Sequence, residues 1–535
     1  MASANAARTS KTRRRYGAKF EFGSSIFRSL ASLATRRSAH TTTGIAARAT
    51  SLRAVVAPLA LLVLSSCAHR TKPPATDSIL PAPVGSSAAP TRSLEQLQRD
   101  FVELRFGMFM HFGILTYTGS WSKPNLDIKL FNPAGLDPGQ WADAAVAAKM
   151  KYAVLTTRHH DGFALWPSKA GDFNVGHIPW RNGKGDVVRE YVDAFRARGL
   201  LPGLYYSIWD TTADVSAGHL TPAKLAYVKT QLTELLTDYG PIPILIVDGW
   251  SWQMGHNAVA YQEIRGLVKS LQPNCLLTDH AHLADPWDMD IVNFEEPRGG
   301  WAPAGNTYPA QQEQKVNATG GNDWFWAPDV GSLMTVPDVV SKHLEDLEPK
   351  WTNFLLNCPP NRDGILPPAI VALLRGVGAA WTPNAARPPL PAQPPQNERP
   401  YTPVAATASS GDANAAIDGK NDTEFISMWQ PTGALPQSIT LDLGPVQPPP
   451  EVGWLGVVPR YHLEKSSRDG NVTSYRVLTS TDGSNFSEAT AGAWPADGRM
   501  KVATFGPTPA RYVRFEIRAA NGSPALTEIT VGGRP

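Results

Sequence analysis

Between residues 97 and 382, short apolar runs alternate with longer segments whose apolar positions recur at helical spacing. The runs Phe106–Phe112, Tyr152–Thr157, Pro202–Tyr206, Ile242–Val247, Leu276–Thr278, Ile291–Phe294, Trp324–Trp326 and Phe354–Asn357 have the length and residue types of buried strands. Helices are predicted over Pro138–Met150, Asp186–Arg198, Pro222–Tyr239, Val259–Leu271 and Val336–Leu347, with one more after Pro368. The segment from Asp186 shows the logic: Asp186 caps it, Val187, Tyr191, Ala194 and Phe195 share a face, and Gly199 ends it. Roughly eight such β–α pairs predict an α/β fold, a (β/α)8 TIM-like barrel over residues 97–382.

The pattern then changes. Pro383–Pro403 holds eight prolines in 21 residues and reads as a stiff linker. In residues 404–535, short alternating segments (Ser438–Leu443, Ser474–Ser480, Arg511–Ile517) are separated by Asp-Gly and Asn-Gly turns, which predicts an antiparallel β-sandwich.

At the other end, Arg53 precedes an apolar run from Ala54 to Leu64 that leads into Leu64-Ser65-Ser66-Cys67. Eleven apolar residues are too few to span a bilayer but suit a signal-peptide core. The ending resembles a bacterial lipobox, in which the cysteine is lipidated and becomes the new N-terminus. Residues 1–66 are therefore expected to be a leader, with 1–50 read as sequence upstream of a misassigned start. Residues 67–96, rich in Pro, Ser and Ala, are expected to be a tether. This predicts a membrane-anchored lipoprotein of the cell envelope, on the periplasmic or cell-surface side. Ala68 after Cys67 favours the outer membrane.

Composition narrows the picture. Hydrophobic residues at 42% and charged residues at 18% exclude extensive disorder. The formal charge of +3 misleads, because the first 66 residues hold 11 Lys and Arg against one acidic residue. From Cys67 onward the net charge is about −7. The basic excess belongs to the leader, and no nucleic-acid partner is expected. After Cys67 only Cys275 and Cys358 remain, too few for a disulfide framework or a cysteine metal site. One bridge and two buried thiols both stay open.

A barrel of this kind places its chemistry at the C-terminal ends of its strands. Those ends carry His111, His159-His160-Asp161, Tyr205-Tyr206, Asp248 and Glu295-Glu296. One such histidine is ordinarily structural; five polar strand ends around one mouth form a constellation. Adjacent strand residues point to opposite faces, so His159 and His160 are expected to diverge, and no metal is expected. Asp248 stands out because it directly follows the apolar run Ile242–Val247; its bland alternative is a cap for the next element. Two carboxylates facing one mouth suit glycoside hydrolysis, one attacking the anomeric carbon while the other protonates the leaving oxygen. The 16 Trp fit a sugar site, since indole faces pack on sugar C–H surfaces.

At these residues the chain resembles the α-L-fucosidases of glycoside hydrolase family 29, over most of residues 97–380. The likeness is carried by Arg105–Gly113 (RFGMFMHFG), Lys151–Ser168 (KYAVLTTRHHDGFALWPS) and Asn182–Asp193 (NGKGDVVREYVD). Gly203–Ser207, Asp248-Gly249 and Asn353–Pro360 extend it. The resemblance implies a retaining exo-α-L-fucosidase, with Asp248 as nucleophile and Glu295 as acid/base, Glu296 being the fallback. It implies that His111, His159, His160 and Tyr205 bind fucose hydroxyls, that Trp121 lines the sugar pocket, and that no cofactor is needed. Three positions depart from the family: Ser120 where many relatives have Glu, Ile246 where an aromatic stands, and a pocket Arg replaced near Asp279-His280. Several blocks resemble the subfamily acting on α-1,3/1,4-linked fucose. Residues 404–535 resemble a discoidin-like (coagulation-factor C-type) domain through Asn414–Gly419, Leu441–Gly444, Ser480–Gly483 and Arg511–Arg514. Carbohydrate binding and a packing role are both open for it. The expected partners are a fucosylated glycan and, through the lipid, a membrane; the oligomeric state is not legible. Two rivals stand beside this reading, a non-catalytic glycan-binding lipoprotein and a barrel glycosidase for another sugar.

Overall fold

The computed structural model describes residues 91–535 except 120, 256–257, 260, 281–288, 297–300, 320–323, 329–330, 394–399, 420–426, 461–469, 497–500 and 534–535. Eight parallel strands form the first sheet: β1 Phe106–Met110, β2 Tyr152–Arg158, β3 Leu201–Ser207, β4 Ile244–Asp248, β5 Leu276–His280, β6 Val292–Glu295, β7 Ala310–Lys315 and β8 Thr352–Asn357. Their order is β5-β4-β3-β2-β1-β8-β7-β6. The two ends meet at a seam where Asp290 N–H donates to the Leu277 carbonyl (2.9 Å) and the Thr278 hydroxyl to the Ile291 carbonyl (3.0 Å). Buried Asp290 also accepts from Leu277 N–H (2.8 Å) and pairs with Arg265 and Lys269, so one carboxylate stitches the closure. The sheet is therefore a nearly closed TIM-like barrel, as the periodicity predicts.

Period-two alternation sorts the side chains. Phe109, Tyr152, Val154, Tyr205, Ile244, Ile246, Leu276 and Leu355 fill the barrel interior. Phe106, Met108, Leu155, Leu204, Leu245, Val247, Leu277, Phe354 and Leu356 face the surrounding helices. Among these is the helix Val187–Arg196, where Asp186 accepts from Arg189 N–H (2.8 Å) as the N-cap. The helix Leu94–Val102, which periodicity did not single out, adds Leu97, Phe101 and Val102 to the interior cluster at Tyr152.

Two expectations are corrected. The seventh strand is Ala310–Lys315, while Trp324–Trp326 is not a strand. The sequence Ala-Gln-Gln-Glu-Gln-Lys hides its strand character because both of its faces meet polar partners. Gln311 and Glu313 bond within the barrel, and Gln314 bonds Glu296 on the other side. The proline-rich stretch is also no free spacer. Asn384 N–H bonds Glu348, Arg387 pairs with Glu103, and Leu390 is buried with the interior cluster. Near its end, Pro400 and Tyr401 already pair with Gly532 and Val531.

The C-terminal region is an antiparallel sandwich of a four-stranded and a five-stranded sheet. Its core holds Trp429, Ile439, Leu455, Val477, Phe515 and Ile529. Trp454 and Val458 of the strand Glu451–Pro459 lie instead in the barrel's outer apolar cluster, so this strand is buried on both faces.

Candidate active site

The rule that sorts the apolar side chains also builds the pocket. Continued one layer up each strand, the inward positions become polar: His111 beyond β1, Tyr205 on β3, Asp248 on β4, His280 on β5, Glu295 on β6, Glu313 on β7 and Asn357 on β8. All are at least nine-tenths buried. Sheet register decides which of them are neighbours, for Asp248 pairs with His280 and Glu295 with Glu313.

Asp248 is held from several sides. Tyr205 OH donates to its Oδ2, while Gly249 N–H and Trp252 Nε1 (2.8 Å) donate to its Oδ1. His160 Nε2 and His280 Nδ1 each lie 3.4 Å from Oδ2. Gly249 is required where it stands, since its φ is +67° and a Cβ would come within 2.6 Å of the Trp209 Cβ. Burial by itself would raise the Asp248 carboxyl; His280, together with His160 and His159, outweighs that and holds it well below the usual carboxylate range.

His280 is the centre of this group. Its Nδ1 is 3.7 Å from Glu295 Oε2, and its Nε2 hydrogen-bonds Glu313 Oε2. Burial works against its charge, but Glu313, Asp248 and Glu295 together raise it well above the ordinary histidine range. In the pocket's other histidines, His111, His159 and His160, burial favours the neutral ring. Burial lowers His111 to about 3, against the pull of its hydrogen bond to Asn357 Oδ1 (2.9 Å), and lowers His160 to about 4, against Asp248. His160 Nδ1 sits 2.6 Å from Ser207 Oγ. His159 stacks on Tyr205 with an interplanar angle of 8°, and its buried Nδ1 has no hydrogen-bond partner among the described residues.

His159 and His160 do not diverge as the strand rule predicts. β2 ends at Arg158, so the rule no longer applies, and the two rings lie 4.1 Å apart on one wall. His159, His160 and Asp248 each bring one donor atom within 4.8 Å of the others, a spacing that could hold a metal ion. Asp248 Oδ2, however, already accepts from Tyr205 and faces the charged His280, which would repel a cation at that oxygen.

The adjacent glutamates part company. Glu295 faces His280, whereas Glu296 is turned outward, bonded by His343 Nε2 (2.9 Å) and Gln314 Nε2 (3.2 Å). Aromatics form the rim. Trp121 is 39% exposed and edges onto His160 at 5.2 Å, with Trp209 and Trp252 beside the same histidine; Trp324 stacks on His111 at 5.0 Å. The structure thus gathers His111, Trp121, His159, His160, Tyr205, Asp248 and Glu295 into one site, and leaves Glu296 out. Ser120 and Cys67 lie outside the described residues. Cys275 and Cys358 are buried free thiols.

Sequence reasoning missed Glu313, Trp209, Trp252 and Trp324, and met His280 only as the place of a lost arginine. A lone glutamate inside a glutamine run was the available signal for Glu313. It becomes readable only once that run is known to be a barrel strand.

The family model described as Alpha-L-fucosidase matches residues 83–385, and that of the F5/8 type C domain matches residues 402–530. Among curated proteins, “Putative alpha-L-fucosidase 1” of Oryza sativa is 42% identical over 315 residues, covering 54% of this chain and 59% of its own length. “Alpha-L-fucosidase 1” of Arabidopsis thaliana is 31% identical over 307 residues, with 52% and 57% covered. The chain thus spans less than three-fifths of the length of these two relatives. The solved “Alpha-L-fucosidase isoenzyme 1 from Paenibacillus thiaminolyticus” overlaps with a TM-score of 0.46 at 22% identity, over 80% of this chain and 99% of that one.

Proposed function

The chain belongs to the alpha-L-fucosidase family, and from that membership and its pocket we propose that it is a retaining exo-α-L-fucosidase releasing terminal fucose from oligosaccharides or glycoconjugates. The observation that carries the retaining mechanism is the spacing of two carboxylates. Asp248 Oδ2 and Glu295 Oε2 lie 3.4 and 3.7 Å from the same nitrogen of His280, which bounds those oxygens to about 7 Å of each other. That bound accommodates the roughly 5–5.5 Å of a double displacement and reaches only the short end of the roughly 6.5–9.5 Å of an inverting pair.

In this reading Asp248 attacks the anomeric carbon while Glu295 protonates the leaving oxygen. Glu295 then takes a proton from the water that cleaves the glycosyl–Asp248 ester, releasing fucose with its configuration kept. Tyr205 OH and Trp252 Nε1 orient the nucleophile. His159 Nδ1, buried without a partner among the described residues, is suited to a sugar hydroxyl, and His111 and His160 stand on the same wall. The Trp121, Trp209 and Trp252 rim offers apolar faces to the remainder of the glycan. We take α-1,3/1,4-linked fucose in branched glycans as the first substrates to test, and a cell-envelope lipoprotein anchored at Cys67 as the working form. Among the described residues no helix is long and apolar enough to cross a membrane.

The test is a panel of aryl glycosides and fucosylated oligosaccharides, with proton NMR of the first product formed. Release of fucose first seen as the α-anomer is expected. Turnover of another sugar in its place, or binding of fucosides without turnover, would replace this reading with one of its rivals. Intact mass of the membrane fraction tests the anchor, which predicts a lipidated chain beginning at Cys67.

A further inference from the structure

His280 lies on no block that carried the family resemblance, yet it faces both carboxylates of the proposed reaction. Its ring bridges three strands. Nδ1 faces Asp248 of β4 at 3.4 Å and Glu295 of β6 at 3.7 Å, and Nε2 bonds Glu313 of β7. Tyr205 of β3 meets the ring edge at 5.7 Å, Phe109 and Trp324 close its other sides at 6.2 Å, and neutral His111 lies beyond Phe109. A neutral imidazole carries one N–H and one lone pair, so it would aim that lone pair at a carboxylate oxygen whichever tautomer formed. Only the doubly protonated ring presents an N–H to both sides. Glu313 is itself fixed, accepting from Gln311 Nε2 (3.0 Å), which also bonds Asn293 Oδ1 (2.7 Å).

We propose that His280 is a positioning residue, an imidazolium locked by Glu313 midway between Asp248 and Glu295, which stabilises whichever of the two is the anion at each stage of the double displacement. The inference rests on the roles given to Asp248 and Glu295 above. Before the first step Asp248 carries the negative charge and Glu295 the proton. As the Asp248–C1 bond forms and the glycosidic C–O bond breaks, the Glu295 proton passes to the leaving oxygen. The negative charge has then moved from Asp248 to Glu295, and both ends of that movement lie within 3.7 Å of the same N–H. The second step returns it: water loses a proton to Glu295 and the ester is cleaved back to the Asp248 carboxylate. His280 keeps both its protons throughout, so the cation needs no rearrangement as the charge shifts.

The experiment is a set of pH profiles of kcat/KM for wild type, His280→Gln, His280→Lys, Glu313→Gln and the Gln/Gln double variant. Removing the cation disfavours both anions. In His280→Gln the acidic limb, where Asp248 must be ionised, and the alkaline limb, where Glu295 must be protonated, are both expected to move up by about one pH unit or more. The optimum kcat/KM should fall on the order of 10²-fold. His280→Lys keeps a cation and should bring the limbs back toward wild type. Glu313→Gln should cost about 10-fold by itself and close to nothing in the His280→Gln background, because it acts through the ring. Limbs that stay in place in His280→Gln, or additive losses in the double variant, would overturn the proposal. Limb positions do not depend on how much of a variant folds. ¹⁵N NMR of the unliganded wild type supplies a readout free of turnover, with both His280 nitrogens expected protonated at pH 7.5; a neutral ring would sink the proposal. Should the wild type release no fucose while the ring is charged, the functional reading fails and the charge state assigned to His280 stands.

Discussion

The mouth of the barrel and the sandwich behind it handle charge in opposite ways. In the sandwich, Arg511 and Asp442 form a two-pronged pair (2.8 and 2.9 Å) with side chains 32% and 21% exposed, and Arg476 meets Glu516 on the outer face of the same sheet. Water screens such pairs, so each contributes about 1 kcal/mol or less. At the barrel mouth Asp248, His280, Glu295 and Glu313 are all at least nine-tenths buried and share one neighbourhood. Withdrawing charges from water costs several kcal/mol per ion unless partners compensate closely. The sandwich spends its polar residues on solubility and modest stability, whereas the mouth holds an unfavourable concentration of ionisable groups that only chemistry explains.

Substitutions should separate the two regions. Asp248→Ala is expected to lose about 10⁴-fold or more in kcat while the melting temperature stays level or rises; near-wild-type turnover would dissolve the contrast. Glu295→Ala should lose on the order of 10²–10⁴-fold, with partial rescue by azide, a small anion able to occupy the vacated space.

A third test uses pH. Burial pushes Asp161, beside the two pocket histidines, up to about 7, against a hydrogen bond from Phe163 N–H (2.7 Å). The unfolded value is about 3.9, so between these values the native state binds the extra proton. Its contribution to stability is therefore intact below about pH 4 and lost as pH rises to about 7, amounting to about 4 kcal/mol at most. Denaturant titrations at pH 5 and pH 8 should show that slope flattened in Asp161→Asn.

Glu296→Gln should lower stability by about 1–3 kcal/mol through its bonds to His343 and Gln314, with kcat within about threefold of wild type. A collapse in kcat would exchange the roles of the two glutamates. Arg511→Ala, the smallest change, should lower stability by about 1 kcal/mol or less and leave kinetics alone.

How much of this was legible varies with how each strand declares itself. β4 was plain, because the apolar run Ile242–Val247 followed at once by Asp248 reads as a barrel strand with a polar tip. β7 was invisible, because its pocket-facing Gln311 and Glu313 break the apolar alternation by which strands are found. For His159 and His160, local geometry was over-read: the strand ends one residue before them, and past its end the alternation carries no force. The proline stretch read as a spacer because composition reports stiffness and not what a segment lies against.

By itself the sequence determined what period and composition encode: two folds in order, the boundary between them, and the polar strand tips gathered at one end of the first. Which tips face one another was decided by the tertiary structure alone. Sheet register sets Asp248 beside His280 and Glu295 beside Glu313, barrel closure brings those two pairs together across the β5–β6 seam, and a ladder bond continued past β6, from Glu296 N–H to the Glu313 carbonyl (2.8 Å), turns Glu295 inward and Glu296 out. Register and closure are relations between strands distant in the chain, and no local pattern of residues carries them.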